Sequence, residues 1–195
     1  MKNIILPVLL SLLSFSAPAQ TKPNGLVVGE IAPDFTATDQ TGKKVNLKQE
    51  LVKNSVVLVF YRGQWCPYCN KELQALEDSL QYIRTKGATV IAVTPELPEN
   101  ISKTVDKTKA SYAVLHDQGL KIMRSYDVAF QVDSLTNAKY KTYGIDFTVV
   151  NGNQNGAVLP VPAVYVINKK GKITYRHFDP DYRRRASIRE ILKYL

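Results

Sequence analysis

Between Ser55 and Pro95 the hydrophobic period changes twice, and those two changes constrain the fold more than anything else in the chain. SVVLVFY, from Ser55 to Tyr61, is an almost unbroken apolar, β-branched run. Such a run fits a strand buried on both faces. From Pro67 to Lys86 the period becomes helical, with Leu73, Leu76, Leu80 and Ile83 along one stripe. Pro67 suits a first helical turn, where its missing N–H has no partner to lose, and Gly87 supplies a stop. ATVIAVTP, from Ala88 to Pro95, is a second buried strand. Strand, helix and strand in that order predict a right-handed crossover joining two parallel strands. The chain is therefore expected to fold as an α/β protein, with helices covering a sheet.

The rest of the chain can be placed around this unit. Residues 20–29 contain Pro23, Gly25 and Gly29 and read as a lead-in. Ala32 to Leu47 predicts two short strands around a turn at Gln40-Thr41-Gly42. Glu99–Lys109 is expected to be helical, Tyr112–His116 a short strand and Gly119–Tyr126 a short helix. In residues 130–159, NGNQNG lies between IDFTVV and AVLP and predicts an inserted hairpin, with a helical turn before it. Val161 to Phe178 predicts a second hairpin, turning at Lys169–Gly171, and Ala186–Leu195 a final helix. No internal repeat or second domain is visible.

The two cysteines of the 195-residue chain, Cys66 and Cys69, fall at the strand-to-helix junction. Cys66 is expected near the helix N-cap and Cys69 in the first turn. Unpaired N–H groups and the helix dipole favour negative charge there, so a thiol is drawn toward its reactive thiolate. Arg62, four residues before Cys66, could add to this effect or simply face solvent. The spacing lets the pair close a disulfide, with one sulfur attacking and the other resolving. A zinc site would need further ligands, and His116 and His177 lack finger spacing, so no metal is expected. As a structural staple the loop is too short to constrain the unfolded chain much.

The N-terminus reads as a secretory signal peptide covering residues 1–19: Lys2, a short apolar run from Ile4 to Phe15, and Ala17-Pro18-Ala19 before a cleavage site after Ala19. The mature chain is then expected in the periplasm or outside the cell, where a cysteine pair can persist as a disulfide. With 45% hydrophobic and 22% charged residues, the composition excludes collagen, coiled coil and wholesale disorder. The net charge of +9 favours acidic partners in principle. Its basic residues are scattered, however, apart from Arg183-Arg184-Arg185. That triplet reads as solvated surface, and no nucleic-acid partner is expected. Were it instead a site for anionic surfaces, retention on heparin would be salt-sensitive.

VGEIAPDFTATDQTGKKVNL, LVFYRGQWCPYCNKEL and VPAVYVINKKGKI together resemble the AhpC/TSA (peroxiredoxin) family, in the peroxiredoxin-like branch that carries a CxxC motif. The resemblance covers residues 26–195. It implies a thioredoxin-like fold with a central mixed sheet flanked by helices. An ungapped match from Phe60 puts Cys69 at the peroxidatic position and Cys66 where a threonine is usual, with Pro162 where the family arginine belongs. Matched instead to thioredoxins, Cys66 and Cys69 are the redox pair and Pro162 the cis-proline facing it. The Val161 carbonyl and N–H would then be free to pair with a substrate backbone. Trp65 and Tyr61 take the flanking aromatic positions, and the buried aspartate of thioredoxins is replaced by Val59.

The CxxC motif favours a thiol–disulfide oxidoreductase, with Cys66 as nucleophile because the helix start exposes it and Cys69 resolving, whereas the family name pulls the other way. Trp65, Arg62, Val161 and Pro162 are the candidate substrate-binding residues. The alternative is a thiol peroxidase with Cys69 peroxidatic and Cys66 resolving, and a third reading keeps the fold as a non-catalytic binding module. No bound cofactor is implied. Electrons would come from a partner dithiol protein, and the substrate would be a disulfide-containing protein or a small peroxide. Bare sheet edges would leave room for a homodimer.

Overall fold

A computed structural model describes residues 22–195; the expected signal segment lies outside the described residues. In chain order the elements are β1 (Thr36–Thr38), β2 (Lys44–Asn46), α1 (Leu47–Lys53), β3 (Ser55–Phe60), α2 (Pro67–Asp78), α3 (Leu80–Thr85), β4 (Ala88–Thr94), α4 (Pro98–Thr108) and β5 (Ala113–His116). A 3₁₀ turn (Gln118–Leu120) runs into α5 (Lys121–Ser125). Then follow β6 (Ala129–Gln131), α6 (Ser134–Thr142), α7 (Phe147–Val150), α8 (Gly152–Asn155), β7 (Val158–Pro160), β8 (Ala163–Ile167), β9 (Ile173–Phe178) and α9 (Ile188–Lys193).

The central sheet has the order β5-β4-β3-β8-β9. The β3–β4 and β4–β5 pairs are parallel, whereas β3–β8 and β8–β9 are antiparallel, so the sheet is mixed, as expected. Each outer strand carries one isolated bridge, Ile31 with Lys172 on the β9 side and Asp39 with Leu115 on β5, so neither edge is wholly bare. Among the described residues no helix is long and apolar enough to cross a membrane.

The unbroken apolar run in β3 has its explanation in two cores. Val56, Leu58 and Phe60 point into one, beneath α1 and α5 with Tyr126 and Tyr165. Val57, Val59 and Tyr61 point into the other, with Leu73 and Leu76 of α2, Ile83 of α3 and Ile191 of α9. Alternation across a strand demands apolar residues at every position when both faces are covered. Leu58 and Leu73 are wholly buried. Truncating either to alanine would cost about 2–5 kcal/mol.

The helix expected from Pro67 to Lys86 is divided at Ser79, which caps the C-terminus of α2 and the N-terminus of α3. Gly87 ends the unit in the left-handed region, at φ +72°, where a side chain would be strained.

The expected inserted strand pair exists, β6 with β7, but NGNQNG is not its turn. IDFTVV and NGNQNG are largely helical (α7 and α8), and the arch between the strands also holds α6. Asp133 and Asp146 accept N–H bonds from Thr136 and Thr148 at the starts of α6 and α7. Asn155, scored as a turn former, is buried instead: its Oδ1 accepts the Gly119 N–H and its Nδ2 donates to the Pro95 and Asp117 carbonyls. Tertiary partners thus override the local turn preference of asparagine.

Candidate active site

Cys66 is the N-cap of α2, and its Sγ accepts the Cys69 backbone N–H at 3.4 Å. Both cysteines are free thiols with no measurable exposure. The loop between β3 and α2 supplies the first cation. Arg62 does not face solvent: it is 6% exposed and points Nη2 at Cys66 Sγ from 3.3 Å. Its Nη1 donates to Tyr140 Oη at 3.1 Å. The guanidinium also lies 5.1 Å from the Trp65 ring centre and 3.7 Å from that of Tyr182. Aromatic faces on a cation fix its plane and add attraction of their own.

A second cation arrives from far along the chain. Arg185 donates through Nη1 to Glu72 Oε2 at 2.7 Å and through Nε to the Tyr182 carbonyl at 2.8 Å. Its Nη2 lies 3.4 Å from Cys69 Sγ and 4.0 Å from Cys66 Sγ. The solvated-surface reading of Arg183-Arg184-Arg185 therefore fails at the third residue. Arg183 and Arg184 are exposed and pair with Asp179 and Asp181, whereas the Arg185 side chain is only 12% exposed. Sequence alone offered no signal to separate it from its neighbours.

These surroundings split the two thiols. The hydrogen bond from Cys69, the Arg62 guanidinium and the Cys69 N–H outweigh burial and pull Cys66 down to about 5. Burial, together with donation to Cys66 and the Cys66 charge, pushes Cys69 well above the ordinary thiol range. Burial also raises two carboxyls, Glu72 to about 7 despite Arg185 and Glu96 to about 8. Glu96 Oε2 accepts the Gln64 N–H at 2.8 Å, just ahead of Cys66. Among the described residues Glu96 Oε1 and Trp65 Nε1 lack partners, and both close on Gly63: a Cβ there would sit 2.6 Å and 2.5 Å from them. Sequence reasoning missed both glutamates, which sit among ordinary charged residues.

The substrate-side expectations need correction. Trp65 is half-buried and packs on Tyr140 and Phe147, with ring centres 5.2 and 5.6 Å away, so the 129–160 excursion helps to wall the site. Tyr61 is a core residue, donating to Thr104 Oγ1 at 3.3 Å. Pro162 is not cis, since the described residues contain no cis peptide bond. Nor is the Val161 N–H free: it donates to the Val128 carbonyl at 2.8 Å, extending the β6–β7 ladder. Val161 and Pro162 nevertheless line a cavity of about 400 Å³ with Arg62, Phe130, Pro180 and Tyr182, next to the residue that holds Cys66. Among the described residues no cluster of three or more His, Cys, Asp or Glu side chains is placed to hold a metal ion. His116 instead meets the Glu96 carbonyl, and His177 the Arg184 carbonyl.

Chloroplastic peroxiredoxin Q of Arabidopsis thaliana is 30% identical over 167 residues, 86% of this chain and 66% of that protein. The thiol-disulfide oxidoreductase ResA of Bacillus thuringiensis is 28% identical over 154 residues, 78% of this chain and 70% of that one. The chain spans only about half to two thirds of the plant peroxiredoxin Q sequences it matches, 46% of one and 66% of another. Among solved structures, a peroxidoxin, BcpB of Mycobacterium tuberculosis, aligns with a TM-score of 0.62 at 20% identity, covering 77% of this chain and 84% of its own. The thioredoxin domain of a Bacteroides vulgatus thiol-disulfide oxidoreductase aligns at 0.55 and 20% identity, covering 81% and 93%. Those two likenesses give the thioredoxin-like fold. Residues 28–176 match the AhpC/TSA family over most of the chain, and the protein belongs to that family.

Proposed function

We propose that the protein is a thiol–disulfide oxidoreductase in which Cys66 attacks and Cys69 resolves. The observation that carries this reading is the convergence on Cys66 Sγ of the Arg62 guanidinium at 3.3 Å and the Cys69 N–H at 3.4 Å, at a helix start. A thiolate held this way is the nucleophile at neutral pH, while the buried Cys69 stays protonated. Cys66 attacks one sulfur of a substrate disulfide and the other leaves as a thiolate. Cys69 then displaces the substrate from Cys66, and a partner dithiol returns the pair to the reduced state. ResA, similar over 78% of the chain, supports the same class of reaction.

Substrate entry needs movement, because both sulfurs are covered. Tyr182 lies over Arg62 and lines the adjoining cavity with Val161, Pro162 and Phe130. We assign to this apolar cavity the residues flanking the substrate disulfide. The signal-like residues 1–19 support an exported location, where disulfide substrates persist.

Trapping tests the assignment. Cys69→Ser should hold a mixed disulfide on Cys66, whereas Cys66→Ser should trap nothing. The opposite pattern overturns it. A peroxidase reading draws on one observation, the Arg185 guanidinium 3.4 Å from the Cys69 sulfur at the family's peroxidatic position. It requires a dimedone-reactive sulfenic acid on Cys69 after peroxide treatment. Stopped-flow of the reduced protein against hydrogen peroxide, beside a protein disulfide, measures which oxidant is faster.

A further inference from the structure

We propose that Arg185 is a catalytic residue of the resolving step, its guanidinium holding Cys69 as a thiolate once Cys66 is joined to substrate. The inference rests on the reading above, in which Cys66 attacks first.

That first step leaves a difficulty. Cys69 must ionise before it can attack, yet it is wholly buried, in a core to which β3 contributes Val57 and Val59, neither of which can take a proton. The polar groups facing its sulfur are few: Cys66, the backbone N–H of Arg62, and Arg185, with Tyr61 behind them. Two of the effects that hold Cys69 protonated come from Cys66, namely the hydrogen bond it donates to that sulfur and the negative charge it faces. Both vanish when Cys66 becomes half of a mixed disulfide, because a disulfide sulfur carries no charge. Burial then opposes ionisation, and Arg185 is the one full positive charge in contact with Cys69 Sγ among the described residues, at 3.4 Å. In a site cleared of water such a charge-assisted contact is strong.

Arg185 is also anchored independently of the substrate. Its Nη1 is held by Glu72 Oε2 at 2.7 Å, and Glu72 stands three positions beyond Cys69 on α2. The guanidinium therefore stays with Cys69 while Tyr182 and Arg62, on the Cys66 side, accommodate the substrate. The two arginines divide the reaction, Arg62 serving attack and Arg185 serving resolution. In the step itself the Cys69 thiol loses its proton and the thiolate attacks Cys66 Sγ. The Cys66–Cys69 bond forms as the bond from Cys66 to the substrate sulfur breaks. The substrate sulfur leaves with the electron pair and takes up a proton through solvent. One disulfide is consumed and one is made.

A symmetrical bis(nitrobenzoate) disulfide separates the two steps, since each releases one coloured thiolate. Mixed with the reduced full-length protein, it should give a fast first release from attack by Cys66 and a second from resolution. Arg185→Gln should slow the second release roughly 10- to 100-fold and alter the first by less than about threefold. Arg62→Gln should show the reverse bias. Arg185→Lys, which keeps the charge without the fork, should recover part of the second phase, and it carries the same test if the glutamine variant does not fold. Equal slowing of both phases, or an unchanged second phase in either folded Arg185 variant, overturns the proposal. Failure of the underlying reading looks different: Cys69→Ser would then give no first release, whatever Arg185 does.

Discussion

The loop Arg62–Cys66 and the segment Asp179–Ala186 each deliver one arginine to the same pair of sulfurs, by opposite routes. Arg62 leaves the end of a buried strand four residues before Cys66, so strand and helix together hold it near the thiol. Arg185 comes from a stretch with no regular secondary structure, 116 positions beyond Cys69, where it is the one residue of a basic triplet turned inward. The difference teaches where a site's chemistry is locally encoded. A cation placed by its own strand and helix is at least a candidate from spacing, even with a solvent-facing alternative open, whereas one delivered by a returning segment owes its place to a distant partner, here Glu72.

The largest effect that would sharpen the contrast lies at that partner. Glu72→Ala leaves Arg185 buried beside an empty space and should cost about 3–5 kcal/mol, read by urea denaturation. A loss below about 1 kcal/mol would mean that the C-terminal segment holds itself in place.

Arg62→Ala strips the attacking thiolate of its nearest cation. The Cys66 alkylation midpoint, near pH 5 in the reduced protein, should rise by roughly 1–3 units. The same depressed value sets a pH dependence. A group whose folded pKa is lowered stabilises the fold above its unfolded value and loses that contribution as pH falls. The reduced protein should therefore weaken relative to Cys66→Ser between about pH 9 and about pH 5.

Glu96, behind the Arg62 loop, behaves in the opposite sense. Its folded value is raised to about 8 from 4.5, so its contribution is intact below about pH 4.5 and is lost as pH rises through about 8. Glu96→Gln, which keeps an oxygen for the Gln64 N–H, should remove that loss. The variant should exceed the parent by several kcal/mol, about 4 at most, at pH 8 while matching it below about pH 4.5, in paired thermal melts.

The smallest effect is the most direct control on the triplet. Arg184, with its side chain 73% exposed, pairs with Asp179 and Asp181 at 3.6 and 3.8 Å. Arg184→Ala should change stability by less than about 1 kcal/mol and leave the rate of disulfide exchange unchanged. An Arg184 variant as damaging as the Arg185 ones would erase the distinction between the two residues.

Much of the fold was legible because local pattern and global burial agreed. β3, β4 and the final hairpin are runs whose every residue is covered or whose alternation matches the sheet, and Leu73, Leu76 and Ile83 mark the buried stripe of α2 and α3. The excursion between β6 and β7 is not legible in the sequence because asparagine favours turns locally, whereas here Asn155 is a tertiary ligand to three backbone groups at once. The occupied Val161 N–H follows from the same excursion, since Val128, which precedes β6, is what Val161 pairs with.

By itself, then, the chain's order of residues determined the α/β architecture and the seat of Cys66 at a helix start, because hydrophobic period, proline placement and capping all act within a few residues. Only the tertiary structure decided which sulfur is acidic, which arginine of three turns inward, and what covers the thiols. Those outcomes depend on burial and on charges brought together across 113 positions, as Arg185 is to Glu72, and electrostatics at a few ångströms is blind to separation along the chain.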